Sequence, residues 1–301
     1  MPSNQSKRRT PRQLISRAGL FLEASGIDEP FRNAELLLSH VMGRPVVDLY
    51  LDWDQEVSAG QEKSFLSLVE KRSGAVPLQY LTGSVDFFGY RLIVRKGVFI
   101  PRPETELLVE EALDIYRRHF SPKPVRILDI GTGSGNISVA LAGEIPESRI
   151  TATDISQDAL DAACENGRLH GVGERIKFIR QDSFPAGCGR FHLILSNPPY
   201  IPDREMLTLQ DEVKNEPTQA LRAGAAGMDV IERILAGAYR YLEPGGYLIL
   251  EIGYGQAKMV RKIECGLRFC YIKKDLSGIE RYPVFKKENH GQVYHRGRQE
   301  T

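Results

Sequence analysis

From residue 125 onward, short apolar runs alternate with helix-patterned stretches, and no other feature limits what this chain can fold into as tightly. The runs at Arg126–Ile130, Arg149–Asp154, Ile176–Ile179, Phe191–Ser196 and Tyr247–Ile252 read as strands. Helical stretches near 137–143, 156–170 and 229–242 lie between most of them. Such alternation of largely apolar strands with helices argues a mostly parallel sheet covered on both faces. Two later runs, near 268–273 and 281–286, complete the sheet. The expected fold class is therefore α/β.

Upstream the texture differs. Leu14, Ala18, Phe21 and Leu22 share one helical face, which Gly26 ends. Asp28 and Pro30 open a second helix, whose Ala34, Leu37, Leu38 and Val41 recur at i, i+3, i+4 and i+7 before Gly43. A third follows Ser58, carries Phe65, Leu68 and Val69, and ends near Gly74. Short amphipathic helices cannot each hide an apolar face alone, so residues 1–75 read as a helical bundle suited to recognising a partner. Within 76–102, apolar residues on either side of Gly89 suggest a hairpin serving as the joint between domains. Pro103 followed by Glu104 and Glu106 suits a helix start. The α/β domain then spans 103–288, and 289–301 is a polar tail.

Charge and cysteine usage narrow the partners. The 301 residues carry 40 basic and 39 acidic side chains, a net +1. Lys7, Arg8, Arg9, Arg12 and Arg17 crowd the N-terminus, and leaving out those five takes the +1 to −4. A protein whose main task is gripping a phosphate backbone carries a basic face, so no direct nucleic-acid substrate is expected. No apolar run approaches the roughly 18 residues of a membrane span, and no signal-peptide stretch opens the chain. Cys164, Cys188, Cys265 and Cys270 form no CxxC pair. That usage suits a reduced, cytoplasmic chain without structural zinc.

Two motifs carry the chemistry. In Asp129-Ile130-Gly131-Thr132-Gly133-Ser134-Gly135, a strand turns into a helix through glycines that admit positive φ and a closely approaching ligand. Asp154 ends the next strand, where a carboxylate can accept both hydroxyls of a ribose. The dinucleotide pattern GxGxxG is not met, because Asn136 stands in place of its third glycine, so the pair indicates only a nucleoside cofactor. The second motif, Ser196-Asn197-Pro198-Pro199-Tyr200, follows the fourth strand, and in open α/β sheets loops beyond the strands' carboxyl ends share one crevice. Residues before proline are held extended and proline lacks an N–H, so the loop offers carbonyl acceptors with few competing donors. With the Asn197 amide and the Tyr200 ring, it suits a planar group bearing an NH2.

Together these motifs resemble a class I S-adenosylmethionine-dependent methyltransferase acting on an amide or exocyclic amine nitrogen. Gln79-Tyr80-Leu81-Thr82-Gly83, Phe87-Phe88-Gly89, Ile100-Pro101-Arg102-Pro103-Glu104-Thr105-Glu106, Asn215-Glu216-Pro217 and Lys274-Asp275-Leu276-Ser277-Gly278 narrow the likeness to the release factor glutamine methyltransferases, the HemK/PrmC family. The resemblance covers nearly the whole chain and implies a Rossmann-like, seven-stranded sheet behind a helical N-terminal domain that recognises the release factor. It implies methyl transfer from S-adenosylmethionine, leaving S-adenosylhomocysteine, to the glutamine N5 of the Gly-Gly-Gln motif of class 1 peptide chain release factors, by a cytoplasmic monomer. By position, Gly131, Thr132, Gly133, Ser134 and Gly135 would line methionine and ribose, and Asp154 would hold the ribose. Asp182 and Ser183 would lie by the adenine, although many relatives carry tryptophan where Ser183 stands. Asn197, Pro198, Pro199 and Tyr200 would hold the glutamine, with Asn197 also beside the cofactor and Asn197 and Pro198 as the catalytic pair.

An amide nitrogen shares its lone pair with the carbonyl, a resonance measured by a rotation barrier of roughly 18–20 kcal/mol. Acceptors at Asn197 Oδ1 and the Pro198 carbonyl strengthen their bonds to the two N–H groups as that nitrogen becomes cationic, which is selective transition-state stabilisation. No histidine is placed as a base and none is required. Three alternatives stay open from the residues alone: glutamine methylation of a ribosomal protein, an adenine-N6 or cytosine-N4 nucleic-acid methyltransferase, and a module that binds the cofactor without turnover.

Overall fold

The computed structural model describes residues 9–289, so Lys7, Arg8 and all of the expected polar tail except Asn289 lie outside the described residues. Contacts divide the chain into two compact units. One comprises the chain up to Ser84 together with Gln210–Asn215, and the other runs from Val85 to Leu209 and on from Glu216. The first boundary falls inside the stretch read as a joint.

The first unit is helical: α1 (Pro11–Ala24), α2 (Pro30–Met42), α3 (Val46–Leu51), α4 (Ala59–Ser73) and α5 (Leu78–Thr82), with the single turn α9 (Asp211–Lys214) contributed from far along the chain. Thr10 with Gln13 and Ser58 with Gln61 form reciprocal caps that satisfy the first free N–H groups of α1 and α4. Leu14, Ala18 and Leu22 of α1, Ala34, Leu37 and Leu38 of α2, and Phe65 and Val69 of α4 form the core. Gly19 has a packing reason, because a Cβ there would lie 2.3 Å from the Phe31 ring. The buried Arg72 donates from Nε to Asn33 Oδ1 (2.7 Å), from Nη1 to the Val76 carbonyl (3.1 Å) and from Nη2 to Glu212 Oε2 (2.6 Å). A buried guanidinium persists only when its donors are spent in this way.

The second unit begins within a hairpin, β1 (Ser84–Phe87, of which all but Ser84 belongs to it) and β2 (Tyr90–Ile93), turning through Phe88 and Gly89, both at positive φ (50° and 78°). Two central residues at positive φ match the right-handed twist of paired strands. Then follow α6 (Glu104–His119), β3 (Val125–Ile130), α7 (Asn136–Glu144), β4 (Ser148–Asp154), α8 (Gln157–Leu169), β5 (Ile176–Arg180), β6 (Phe191–Ser196), α10 (Asp229–Tyr241), β7 (Leu242–Leu250), α11 (Ala257–Val260), β8 (Arg268–Lys274) and β9 (Glu280–Lys286). The seven-stranded sheet has the order β5-β4-β3-β6-β7-β9-β8. It is parallel from β5 to β7, and β9 pairs antiparallel with both β7 and β8. This is the class I methyltransferase fold.

Period-two alternation explains why both faces are covered. Ile127, Leu193, Leu195, Tyr247 and Ile249 join the core beneath α6 and α7, whereas Leu128, Ile194, Leu248 and Leu250 join the core beneath α10. Chain order reverses at β3, which lies between β4 and β6, so the crevice opens beyond the carboxyl ends of those strands.

Candidate active site

At that switch point lies a cavity of about 330 Å³ lined by residues of the second unit. Of the sequence-predicted site residues, Gly131, Thr132, Gly133, Ser134, Asp154, Asp182, Ser183, Asn197, Pro198 and Pro199 line it, while Gly135 and Tyr200 are not among its lining residues.

One wall is the glycine loop after β3. Gly131, Gly133 and Gly135 all take positive φ (71°, 55° and 82°). Gly131 N and Thr132 N donate to the Thr153 carbonyl (2.8 and 2.9 Å), tying the loop to β4. Behind it the fully buried Asp129 accepts at Oδ2 from Thr132 Oγ1 (2.7 Å) and Ser138 Oγ (2.6 Å). Burial raises its carboxyl from 3.8 to about 6, against those two hydrogen bonds. Gly135 caps α7, and a Cβ there would stand 3.0 Å from Ala163 of α8. The close helix approach that the third glycine of a dinucleotide loop permits is thus supplied one residue earlier. Asp154 accepts from Gly133 N at Oδ2 and Ser156 N at Oδ1, both at 2.9 Å, and burial raises its pKa. A carboxylate offers about four acceptor positions, so capacity remains for further donors.

The far end of the cavity carries Asp182, Ser183 and Arg233. Asp182 is paired to Arg233 Nη1 (2.8 Å) and accepts from Ser183 Oγ (2.9 Å). Ser183 sits at φ 64°, and its carbonyl accepts from Thr153 Oγ1 (2.9 Å).

The other wall follows β6. Ser196 Oγ donates to the Ile130 carbonyl (2.7 Å), and Glu251 N donates to the Ser196 carbonyl (2.9 Å), which fixes the strand end. Asn197 Nδ2 donates to Thr105 Oγ1 (2.9 Å), and its Oδ1 accepts no hydrogen bond among the described residues. Gln256 Nε2 donates to the carbonyls of Tyr200 (3.0 Å) and Gly227 (2.9 Å), clamping the loop's far end. The Tyr200 ring packs against the core beneath α10, and burial pushes its hydroxyl up to about 12. Phe99 also lines the cavity, with the Arg102 guanidinium 4.9 Å over its ring. Glu216 pairs with Arg102 and accepts from Ile100 N (3.0 Å), holding this segment in place. Glu106 accepts from Phe88 N (2.8 Å), so it fixes the hairpin turn rather than the cavity.

Sequence reasoning missed Phe99, Gln181 and Arg233 as lining residues, and Thr105 and Glu251 as the residues behind Asn197. Thr105 was visible only as part of the motif around Glu104 and Glu106, and nothing around Glu251 set it apart.

Two family models match the chain: PrmC N-terminal domain over residues 13–83, and Methyltransferase small domain over residues 104–225. Among curated proteins, the release factor glutamine methyltransferase of Chlorobaculum tepidum is 40% identical over 83% of this chain and 88% of its own. That of Deinococcus radiodurans is 37% identical over 90% and 96%. Among solved structures, the hMettl16 catalytic domain in complex with a 3′UTR hairpin shares the fold, with TM-score 0.54 at 15% identity over 69% of this chain and 78% of that one. No helix among the described residues is long and apolar enough to cross a membrane.

Proposed function

The chain belongs to the release factor glutamine methyltransferase family, and from that membership we propose that it methylates the side-chain nitrogen of the Gly-Gly-Gln glutamine in class 1 release factors. The single observation that carries this reading is the Asn197 carboxamide, which lines the cavity with one N–H of Nδ2 donated to Thr105 Oγ1 and its Oδ1 free to accept.

S-adenosylmethionine, when bound, supplies an electrophilic methyl on a sulfonium. The residues present fit it. Ser134 Oγ is buried without a hydrogen-bond partner, an orphan that a polar ligand would satisfy. The glycine loop would hold the methionine and ribose part, Asp154 would accept from the ribose hydroxyls, and Asp182 and Ser183 would border the adenine. With no tryptophan at position 183, the planar Arg233 guanidinium is the flat group available at that end.

On the substrate side, Asn197 Oδ1 and the Pro198 carbonyl accept the two N–H bonds of the glutamine amide. Both bonds strengthen as positive charge develops on nitrogen, so the transition state is held more tightly than the ground state. Proline-rich walls limit the water and competing donors that reach those acceptors. Orienting the nitrogen supplies the remaining advantage. The four cysteines are free, which supports action in the reducing cytoplasm. The chain is proposed to act as a monomer.

The test uses labelled S-adenosylmethionine with, separately, a release factor, its Gly-Gly-Ala variant, ribosomal protein and DNA. Label on the release factor alone, abolished by Gly-Gly-Ala, is the expected outcome. Label on ribosomal protein or DNA instead would replace this substrate assignment.

A further inference from the structure

We infer that Thr105 and Glu251 are positioning residues that fix which end of the Asn197 carboxamide meets the substrate amide. This rests on the proposed function, since it concerns how the same loop is set.

A carboxamide can sit either way round in its slot, and only one way presents the carbonyl. Thr105, in the first turn of α6, and Glu251, immediately after β7, are both buried to within 1%. Thr105 Oγ1 lies 2.8 Å from Glu251 Oε2 and 2.9 Å from Asn197 Nδ2. The hydroxyl has one proton, and a carboxylate accepts only, so that proton goes to Glu251. What Thr105 then offers Asn197 is a lone pair, which matches Nδ2 and repels Oδ1. The chain Asn197 to Thr105 to Glu251 therefore runs in one direction and leaves the carbonyl for the substrate. A buried network of this kind is strong when every member is satisfied and costly when one is lost.

The direction depends on Glu251 remaining ionised. Were it protonated, its O–H could donate to Thr105, whose hydroxyl would turn towards Asn197 and favour the reversed amide. Glu251 is faced by Arg281 and Tyr282 of β9, Glu104 of α6, Arg102 ahead of α6 and Tyr200 of the loop after β6. Burial pushes its carboxyl up to about 7, with Glu104 adding to the rise, while the Thr105 hydrogen bond and the Arg281 and Arg102 guanidinium groups oppose it. Methyl transfer should accordingly fall as pH drops through that region.

The experiment uses the full chain and its release factor, comparing wild type with Thr105→Val, Thr105→Ser and Glu251→Gln. Melting temperature and S-adenosylhomocysteine affinity by calorimetry report on folding and the cofactor wall. Thr105→Val should keep S-adenosylhomocysteine affinity, lower the melting temperature because Glu251 loses its buried partner, and lose about 10–100-fold in kcat with KM little changed, the range seen when a hydrogen bond supporting a metal ligand is removed. Thr105→Ser keeps the hydroxyl and should recover most of kcat. Glu251→Gln cannot titrate and should lose the acid limb of the kcat profile. Full kcat in a folded Thr105→Val, equal loss in Thr105→Ser, or an acid limb that survives Glu251→Gln would each overturn the inference while leaving the proposed function intact. A wild-type chain that transfers no methyl to the release factor would remove the function and this inference together.

Discussion

Along the glycine wall the main brace is local. Asp129 holds Thr132 and Ser138, three and nine residues away. The Asn197 wall is braced from afar: Thr105 is 92 residues from Asn197 and 146 from Glu251. A local brace forms with the loop itself, whereas a distant one exists only once α6, β6 and β7 are packed. The glycine loop is thus braced from within β3, its turn and α7 and tied to the neighbouring β4, whereas the wall assigned to the substrate depends on elements far apart in the chain.

The largest expected effect separates the two walls outright. Asn197→Ala should fold and still bind S-adenosylhomocysteine, yet lose about 10²–10³ in single-turnover rate, as removal of one preorganised charge-stabilising group does elsewhere. Matched losses in rate and binding would show that the walls are not separable. Next, Asp154→Ala should weaken S-adenosylhomocysteine binding in calorimetry by about 10–100-fold, the equivalent of about 1.5–3 kcal/mol for hydrogen bonds to a charged group. An unchanged constant would remove the ribose role.

Smaller effects test whether the glycine wall is as local as it looks. Gly135→Ala places a Cβ at φ 82° and 3.0 Å from Ala163. It should cost about 1–3 kcal/mol of stability, read as a lowered melting temperature, through a strained backbone and the separation of α7 from α8. Asp129→Asn is read as a pH slope. The Asp129 carboxyl is raised from 3.8 to about 6, so the folded chain holds that proton more tightly than the unfolded chain does. Its contribution favours folding at low pH and is withdrawn as pH rises across that window. The melting temperature of Asp129→Asn relative to wild type should therefore improve from acid towards neutral pH. A difference independent of pH would mean that Asp129 does not titrate there.

The same division explains what could be read in advance. Strands expected at Arg126–Ile130 and Arg149–Asp154 are found at Val125–Ile130 and Ser148–Asp154, because apolar alternation and the glycine turn are contiguous signals. The glycine loop and Asp154 were legible for that reason. The short helices α3 and α5 gave no periodic run, since six and five residues are too few to display a face. Nor could the pairing of Arg72 with Glu212, 140 residues apart, be inferred from either neighbourhood. Thr105 and Glu251 were missed in the same way. A threonine in a helix's first turn and a glutamate after a strand are commonplace until the sheet brings them together.

The most direct measurement is a crystal of the full chain with S-adenosylhomocysteine and a Gly-Gly-Gln peptide. The glutamine side-chain nitrogen should lie within about 2.7–3.2 Å of Asn197 Oδ1, ordinary N–H···O geometry, with Nδ2 still on Thr105. A glutamine bound elsewhere in the cavity, or an Asn197 amide reversed towards it, would contradict the assignment.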